Sequence, residues 1–154
     1  MLALLFQIGA SRFALDARHI KEVVPRVGLQ PLACSPSWVA GVFVFRGQVV
    51  SVLDLHRLLG AGDCPPCLSS RIILMPFPPD QKGRLLGLLA TQVAELREID
   101  PAGQALPYQF PNAQPHLGAV LADKEGILHL LDLDRLLSDA MKSELLALPV
   151  KGSP

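Results

Sequence analysis

"VFRGQVVSVLDLHRLLG", residues 44–60, carries the reading of the whole chain. Two apolar runs of strand length, GVFVF (41–45) and VVSVL (49–53), flank the pair Arg46-Gly47. The second run passes into Asp54-Leu55. This pattern predicts a hairpin followed by a short helix, with Asp54 as N-cap and Leu55, Leu58 and Leu59 on one helical face. Gly47 suits the tight turn, where positive φ is needed. A charge at the centre of so apolar a segment is the oddity to be explained.

Working outward, the segment occurs twice. SVLDLHRLL (51–59) and HLLDLDRLL (129–137) share six of nine residues. Upstream, Pro36 leads through SWVA to Gly41, and Pro115 leads through HL to Gly118. Earlier still, IKEV (20–23) has a partner in VAEL (93–96). The unit is a duplication: strands, a Pro-rich approach, a hairpin and a capped helix. One copy alone would bury too little, so two similar small β subdomains are expected. The connection 60–70, GAGDCPPCLSS, reads as the linker between copies.

The rest of the chain agrees. Ten apolar runs bounded by Gly, Pro, Asp or Ser suit strands of four to seven residues: LALLFQI, FAL, IKEVV, GVFVF, VVSVL, RIILM, LLGLLA, VAELREI, GAVLA and GILHLL. Several are continuous rather than alternating, as buried barrel strands would be. Fourteen prolines argue against long helices outside 54–60 and 132–148. The loop 100–118 carries four prolines, Tyr108 and Phe110, and is expected to pack as an ordered surface loop.

Composition excludes several classes. Half of the 154 residues are hydrophobic and 18% are charged, with 14 basic against 14 acidic side chains. Such a chain folds, and it lacks the basic footprint of a nucleic-acid binder. The N-terminus has no basic leader and no apolar run reaches membrane-spanning length. Three cysteines, an odd number, suit a reducing compartment. The expectation is cytoplasmic.

Catalytic and metal motifs are scarce. No Gly-rich phosphate cradle, HExxH or G-x-S-x-G is present. Cys64-Pro-Pro-Cys67 has redox or zinc spacing, but it lies in the linker, without the strand–helix setting of a redox motif. A tetrahedral site would also need Cys34 and a histidine such as His56 to converge; the plain reading is two linker thiols. His19, His56, His116 and His129 are scattered without metal spacing. Asp54 and Asp132 read as helix caps rather than paired carboxylates, and Trp38 as an anchor for its turn. No catalytic residue, metal or cofactor is expected.

The repeat also weighs Arg46. Five residues beyond Gly41 stands Arg46, and five beyond Gly118 stands Asp123. The second hairpin is thus expected to manage with an acid where the first has an arginine. An exposed turn arginine is common, but a charged tip between apolar neighbours is also typical of interface anchors.

WVAGVFVFRGQVVSVLDLHRLLG (38–60) resembles the signature of CheW-like adaptor domains: a Gly, a strand ending in Arg-Gly, then a strand running into Asp-Leu and a short helix. FALDARHIKEVV (13–24), LLGLLATQVAELREI (85–99) and GILHLLDLDRLL (126–137) extend the likeness over nearly the whole chain. The resemblance implies a mainly β fold, two SH3-like five-stranded β-barrels with short helices and a C-terminal helix. It implies one CheW-like domain over residues 1–148, with 149–154 as a tail. Family members are non-enzymatic couplers between chemoreceptor cytoplasmic tips and the regulatory domain of a CheA-type histidine kinase. They sit at receptor arrays on the inner membrane, without inserting into it.

Carried over by position, Arg46 matches the arginine on which receptor coupling depends, with Gly41 beside it, and Ile20 and Glu22 match interaction positions on the early strand. Gly47, Val44 and Phe45 complete the expected receptor- or kinase-binding set. Val44 stands where the family usually has Asn, and Phe45 where Leu is usual. The departures concern partners more than fold and leave open a non-flagellar output: surface sensing, pili or a second messenger. A redox- or zinc-responsive module on Cys64 and Cys67 is the competing expectation. A regulatory domain cut from a larger kinase is a third, less favoured because the chain reads as complete at both ends.

Overall fold

Short apolar runs broken by turn residues become nine strands, four short α-helices and one 3-10 turn (Ala17–His19) in the computed structural model, which describes residues 1–78, 84–106 and 117–147. The strands are β1 (Leu2–Ile8), β2 (Ser11–Asp16), β3 (Glu22–Pro25), β4 (Val39–Phe45), β5 (Gln48–Asp54), β6 (Arg71–Pro76), β7 (Leu85–Glu98), β8 (Leu117–Asp123) and β9 (Gly126–Leu131). The helices are α1 (Leu55–Leu58), α2 (Pro101–Gln104), α3 (Leu133–Leu136) and α4 (Asp139–Ala147). No described helix is long and apolar enough to cross a membrane.

The architecture is mainly β, as the sequence implies. LLGLLA and VAELREI form one strand rather than two. β7 runs on through Gln92, at φ +52, with a register shift against β1 beside it. Its first part pairs with β5 and β6, and its second part pairs with β1. Two five-stranded sheets therefore share one strand. The first has the order β3-β6-β7-β5-β4 and the second β7-β1-β2-β9-β8. An isolated bridge closes each into a barrel: Gln30 with Val42 in the first, Ala105 with Leu121 in the second.

The two copies interlock. β1 and β2 of the first copy lie in the second barrel, and β6 with the start of β7 lies in the first. The joints are the parallel pairs β5–β7 and β2–β9. The connection 60–70 thus links α1 to β6, and the strands before and after it belong to one sheet.

Interlocking explains the continuous apolar runs. On β1, Leu4, Phe6 and Ile8 face the main core between the barrels, while Ala3 and Leu5 face the interior of the second barrel. On β6, Ile73 and Met75 face the main core, and Ile72 and Leu74 the interior of the first barrel. Strands buried on both faces have no polar side to alternate with. Trp38 packs against the main core, as its turn position suggests.

Both helix caps are present. The Asp54 carboxylate accepts the His56 and Arg57 N–H groups at 2.9 and 3.4 Å, and Asp132 accepts those of Asp134 and Arg135 at 3.1 and 3.4 Å. The single C-terminal helix expected over 132–148 is instead divided. Ser138 interrupts it and caps α4, its hydroxyl accepting the Met141 N–H at 3.2 Å. A Ser competes for backbone donors and so starts a helix more readily than it continues one. Tyr108, Phe110, His116 and the tail 149–154 lie outside the described residues.

Candidate functional site

Arg46 and Gly47 are the two turn residues between Phe45 and Gln48, the last paired residues of β4 and β5. Their φ angles are +50 and +78. Two consecutive positive φ values make the type I′ turn, whose twist matches that of the strands and which favours Asn-Gly. A non-glycine side chain in the left-handed region costs of order 1 kcal/mol or more. Arginine gives the turn nothing that Asn would not give better. Its side chain lies with the guanidinium carbon 4.8 Å from the centre of the Phe45 ring, and Nη2 is 3.4 Å from the Glu22 carboxylate on β3. The Arg46 side chain remains 70% exposed. An ion pair that open contributes little to stability.

Alternation along β4 decides what surrounds it. Phe43 and Phe45 pack against the first barrel's interior, whereas Val44 points out and is 62% exposed. Gln48 fixes the other strand, its side-chain oxygen accepting the Leu85 N–H at 2.7 Å. An apolar Val44, an aromatic shelf and a cation with an adjacent acid therefore form one projection. The sequence brings Arg46 and Glu22 together from segments far apart in the chain.

Two expected site residues lie elsewhere. Gly41 is buried, at φ +152, and an added Cβ would stand 2.7 Å from the Gln30 carbonyl oxygen. What it provides is the close approach that closes the first barrel, not a surface of its own. Ile20 is half-buried against the main core.

Register also corrects the expected counterpart of Arg46. In the second hairpin Asp123 pairs with Gly126, so the turn residues are Lys124 and Glu125. Asp123 occupies the place of Phe45. Counting from the glycines fails because Gly41 corresponds to Ala119, and Gly118 lies within the irregular start of β8 between Leu117 and Val120. Neither Lys124 nor Glu125 has positive φ. Asp123 closes this turn itself, accepting the Glu125 N–H at 2.9 Å, and takes both Arg12 guanidinium nitrogens at 2.8 Å and Arg97 at 3.2 Å. The Arg12 hydrogen bonds, aided by Arg97, hold its carboxyl at about 2. This tip is bound to its own barrel.

A third grouping adds Asp54 to His56 and Cys64, two of the residues that a zinc site on the connection would need. Asp54, His56 and Cys64 are all buried, with donor atoms within 4.8 Å of one another. Burial lowers the pKa of His56 and raises that of the Cys64 thiol. The expected zinc partners do not gather as supposed: Cys34 is exposed and is not among these donors, and Cys67 is exposed, with Sγ 3.2 Å from the Ser70 hydroxyl. The local signal was present, since Asp54 and His56 sit two residues apart at a helix start. What the sequence hides is that the 60–70 connection folds back, its Cys64 N–H donating to Asp54 at 2.9 Å.

Comparison with known proteins agrees with this architecture. A family model for the CheW-like domain matches residues 2–141. Chemotaxis protein CheW of Treponema pallidum is 31% identical over 142 residues, covering 86% of this chain and 79% of that protein. Protein FrzA of Myxococcus xanthus is 31% identical over 139 residues, covering 88% and 84%. The crystal structure of the scaffolding protein TtCheW from Thermoanaerobacter tengcongensis superposes with a TM-score of 0.75 at 21% identity, covering 89% of this chain and 87% of that one. The chain belongs to the CheW-like domain family, the scaffold adaptors of chemotaxis signalling.

Proposed function

We propose that this chain is a non-enzymatic coupler that holds chemoreceptor cytoplasmic tips and a CheA-type histidine kinase in one array, and that the β4–β5 hairpin is its receptor-facing element. Arg46 carries the reading. It is a cation held at the outer end of a strained I′ turn where the fold alone would favour Asn, supported by Phe45 and Glu22. Val44 adds apolar surface beside it, Gly47 allows the turn, and Gly41 and Ile20 position the scaffold from within. An arginine on an aromatic, next to exposed aliphatic surface, is the composition of interface anchors.

Mechanistically, holding both partners side by side raises their effective concentration and lets receptor state bias kinase activity. The two barrels would offer separate surfaces, one to each partner, within a single domain over residues 1–148. Such a coupler works at the cytoplasmic side of the inner membrane without entering it, and Val44 in place of the family's usual Asn suits a partner outside the flagellar system. The test is co-sedimentation of the chain with a chemoreceptor cytoplasmic fragment and kinase from the same organism. Assembly of all three with wild type, and loss of receptor with Arg46→Glu at an unchanged thermal midpoint, is expected. A folded Arg46→Glu chain that assembles normally removes the assignment.

A further inference from the structure

We propose that Asp54, His56 and Cys64 form a buried zinc-binding site that clips the 60–70 connection to the base of the Arg46 hairpin. The three residues come from the end of β5, from α1 and from the connection, and each is at most 3% exposed. His56 is the decisive observation. It is 2% exposed, and its Nδ1 has no hydrogen-bond partner. An orphaned buried nitrogen is destabilising, and something normally satisfies it. That Nδ1 is 3.8 Å from an Asp54 carboxylate oxygen, and one donor atom from each of the three residues lies within 4.8 Å of the other two. The sulfur itself makes only long contacts, 3.8 Å to the Pro65 carbonyl and 3.9 Å to the Ser70 hydroxyl.

The donor set selects the ion. Imidazole, thiolate and carboxylate together suit zinc and disfavour magnesium or calcium, which require oxygen ligands. Zinc bonds of about 2.0–2.3 Å bring neighbouring donors to roughly 3.3–3.7 Å, so the widest separation has to close by only about 1 Å. Three protein donors leave one position for water. Binding releases the thiol proton to solvent, since the ligand is the thiolate. A cleft walled by Arg26, Gly28, Leu29, Arg57 and Asp63 reaches both Asp54 and Cys64 and provides an entry path. Arg57 already lies 3.5 Å from Asp54 and 2.9 Å from Asp63, and zinc leaves it the second partner.

The duplication provides the control. The second cap, Asp132, is 41% exposed, and the residue matching His56 is Asp134, which is exposed. Capping therefore needs neither burial nor histidine, and the first copy has both.

The test is a titration of the tag-free, chelator-treated full chain with cobalt as a spectroscopic probe. The expected result is a thiolate-to-cobalt charge-transfer band saturating at one ion per chain, displaced by zinc, together with a thermal midpoint raised by zinc but not by magnesium. Cys64→Ser and His56→Asn should lose the band, while a Cys34→Ser/Cys67→Ser double variant should keep it. No band and no zinc-induced shift on the folded wild-type chain overturns the proposal. So does a band that survives Cys64→Ser or disappears with the two exposed thiols. If the His56 or Cys64 variants fail to fold, the wild-type titration and the double variant decide alone.

Discussion

The β4–β5 and β8–β9 hairpins run into like sequences, SVLDLHRLL and HLLDLDRLL, yet they build their tips differently. The second turn has ordinary backbone angles, and its acid, Asp123, is 10% exposed and bound to Arg12 and Arg97. The first turn is strained and sends its cation outward, over the Phe45 ring and beside the Glu22 carboxylate. At the position matching Arg46 the second turn also has an exposed cation, Lys124, but without positive φ, so the fold can build this hairpin without the strained turn. The proposed receptor-facing role of Arg46 would account for this difference.

The sharpest structural break is Gly41→Ala. A Cβ there meets the Gln30 carbonyl at 2.7 Å, against backbone that cannot swing away, at φ +152. A loss of about 3 kcal/mol is expected in denaturant unfolding, from strain and overpacking together. A variant that unfolds like wild type would show that the bridge closing the first barrel is dispensable, and Gly41 would return to the list of contact residues.

Asp123→Asn breaks the other hairpin and should cost roughly 2 kcal/mol. The pH dependence fixes its cause. Asp123 titrates near 3.9 unfolded and at about 2 when folded. Its folded pKa is depressed, so its contribution is complete above the unfolded value and is lost as pH falls towards the folded one. The gap between wild type and Asp123→Asn should therefore be constant above pH ~5 and shrink between pH ~4 and ~2. A gap independent of pH would mean that packing, not the carboxylate, holds this tip.

Helix capping can be compared in the same way. Asp132→Ala removes two N–H partners at an open helix start and should cost about 1 kcal/mol. Asp54→Ala removes three, one of them the Cys64 N–H that anchors the connection, and should cost measurably more. Equal losses in thermal melts would make the two caps equivalent and the burial of Asp54 incidental.

Much of this fold is legible in the sequence, for physical reasons. Strand runs, both caps and the repeat were visible because each is a local pattern: apolar residues between turn formers, and Asp ahead of a leucine face. The interlocking of the copies was not, because a duplication says which segments are alike and not which of them pair. The merging of two runs into β7 was hidden for a related reason: Gln92 turns the chain without a Gly or Pro to mark it. The counterpart of Arg46 lies one residue beyond the glycine count because β8 starts irregularly, a feature that leaves no residue signature. The site was legible only in part. Arg46 and Glu22 follow from the signature, but their contact, and the burial of His56 against Cys64, depend on the return path of loops.

The smallest effect on stability carries the largest contrast with binding. Arg46→Asn places the residue that a type I′ turn favours at φ +50. It should stabilise the chain by up to about 1 kcal/mol, raising the midpoint by roughly 2–4 °C. A fall in stability would make Arg46 a structural residue.

The most direct measurement is the affinity of a chemoreceptor cytoplasmic fragment for three folded chains: wild type, Arg46→Glu and Lys124→Glu. The two substitutions reverse the same charge at matching turn positions of the two hairpins. A loss of at least about tenfold for Arg46→Glu is expected, as for one interface anchor, with Lys124→Glu close to wild type. Equal losses, or none for Arg46→Glu, would contradict the assignment of the outward tip to a partner.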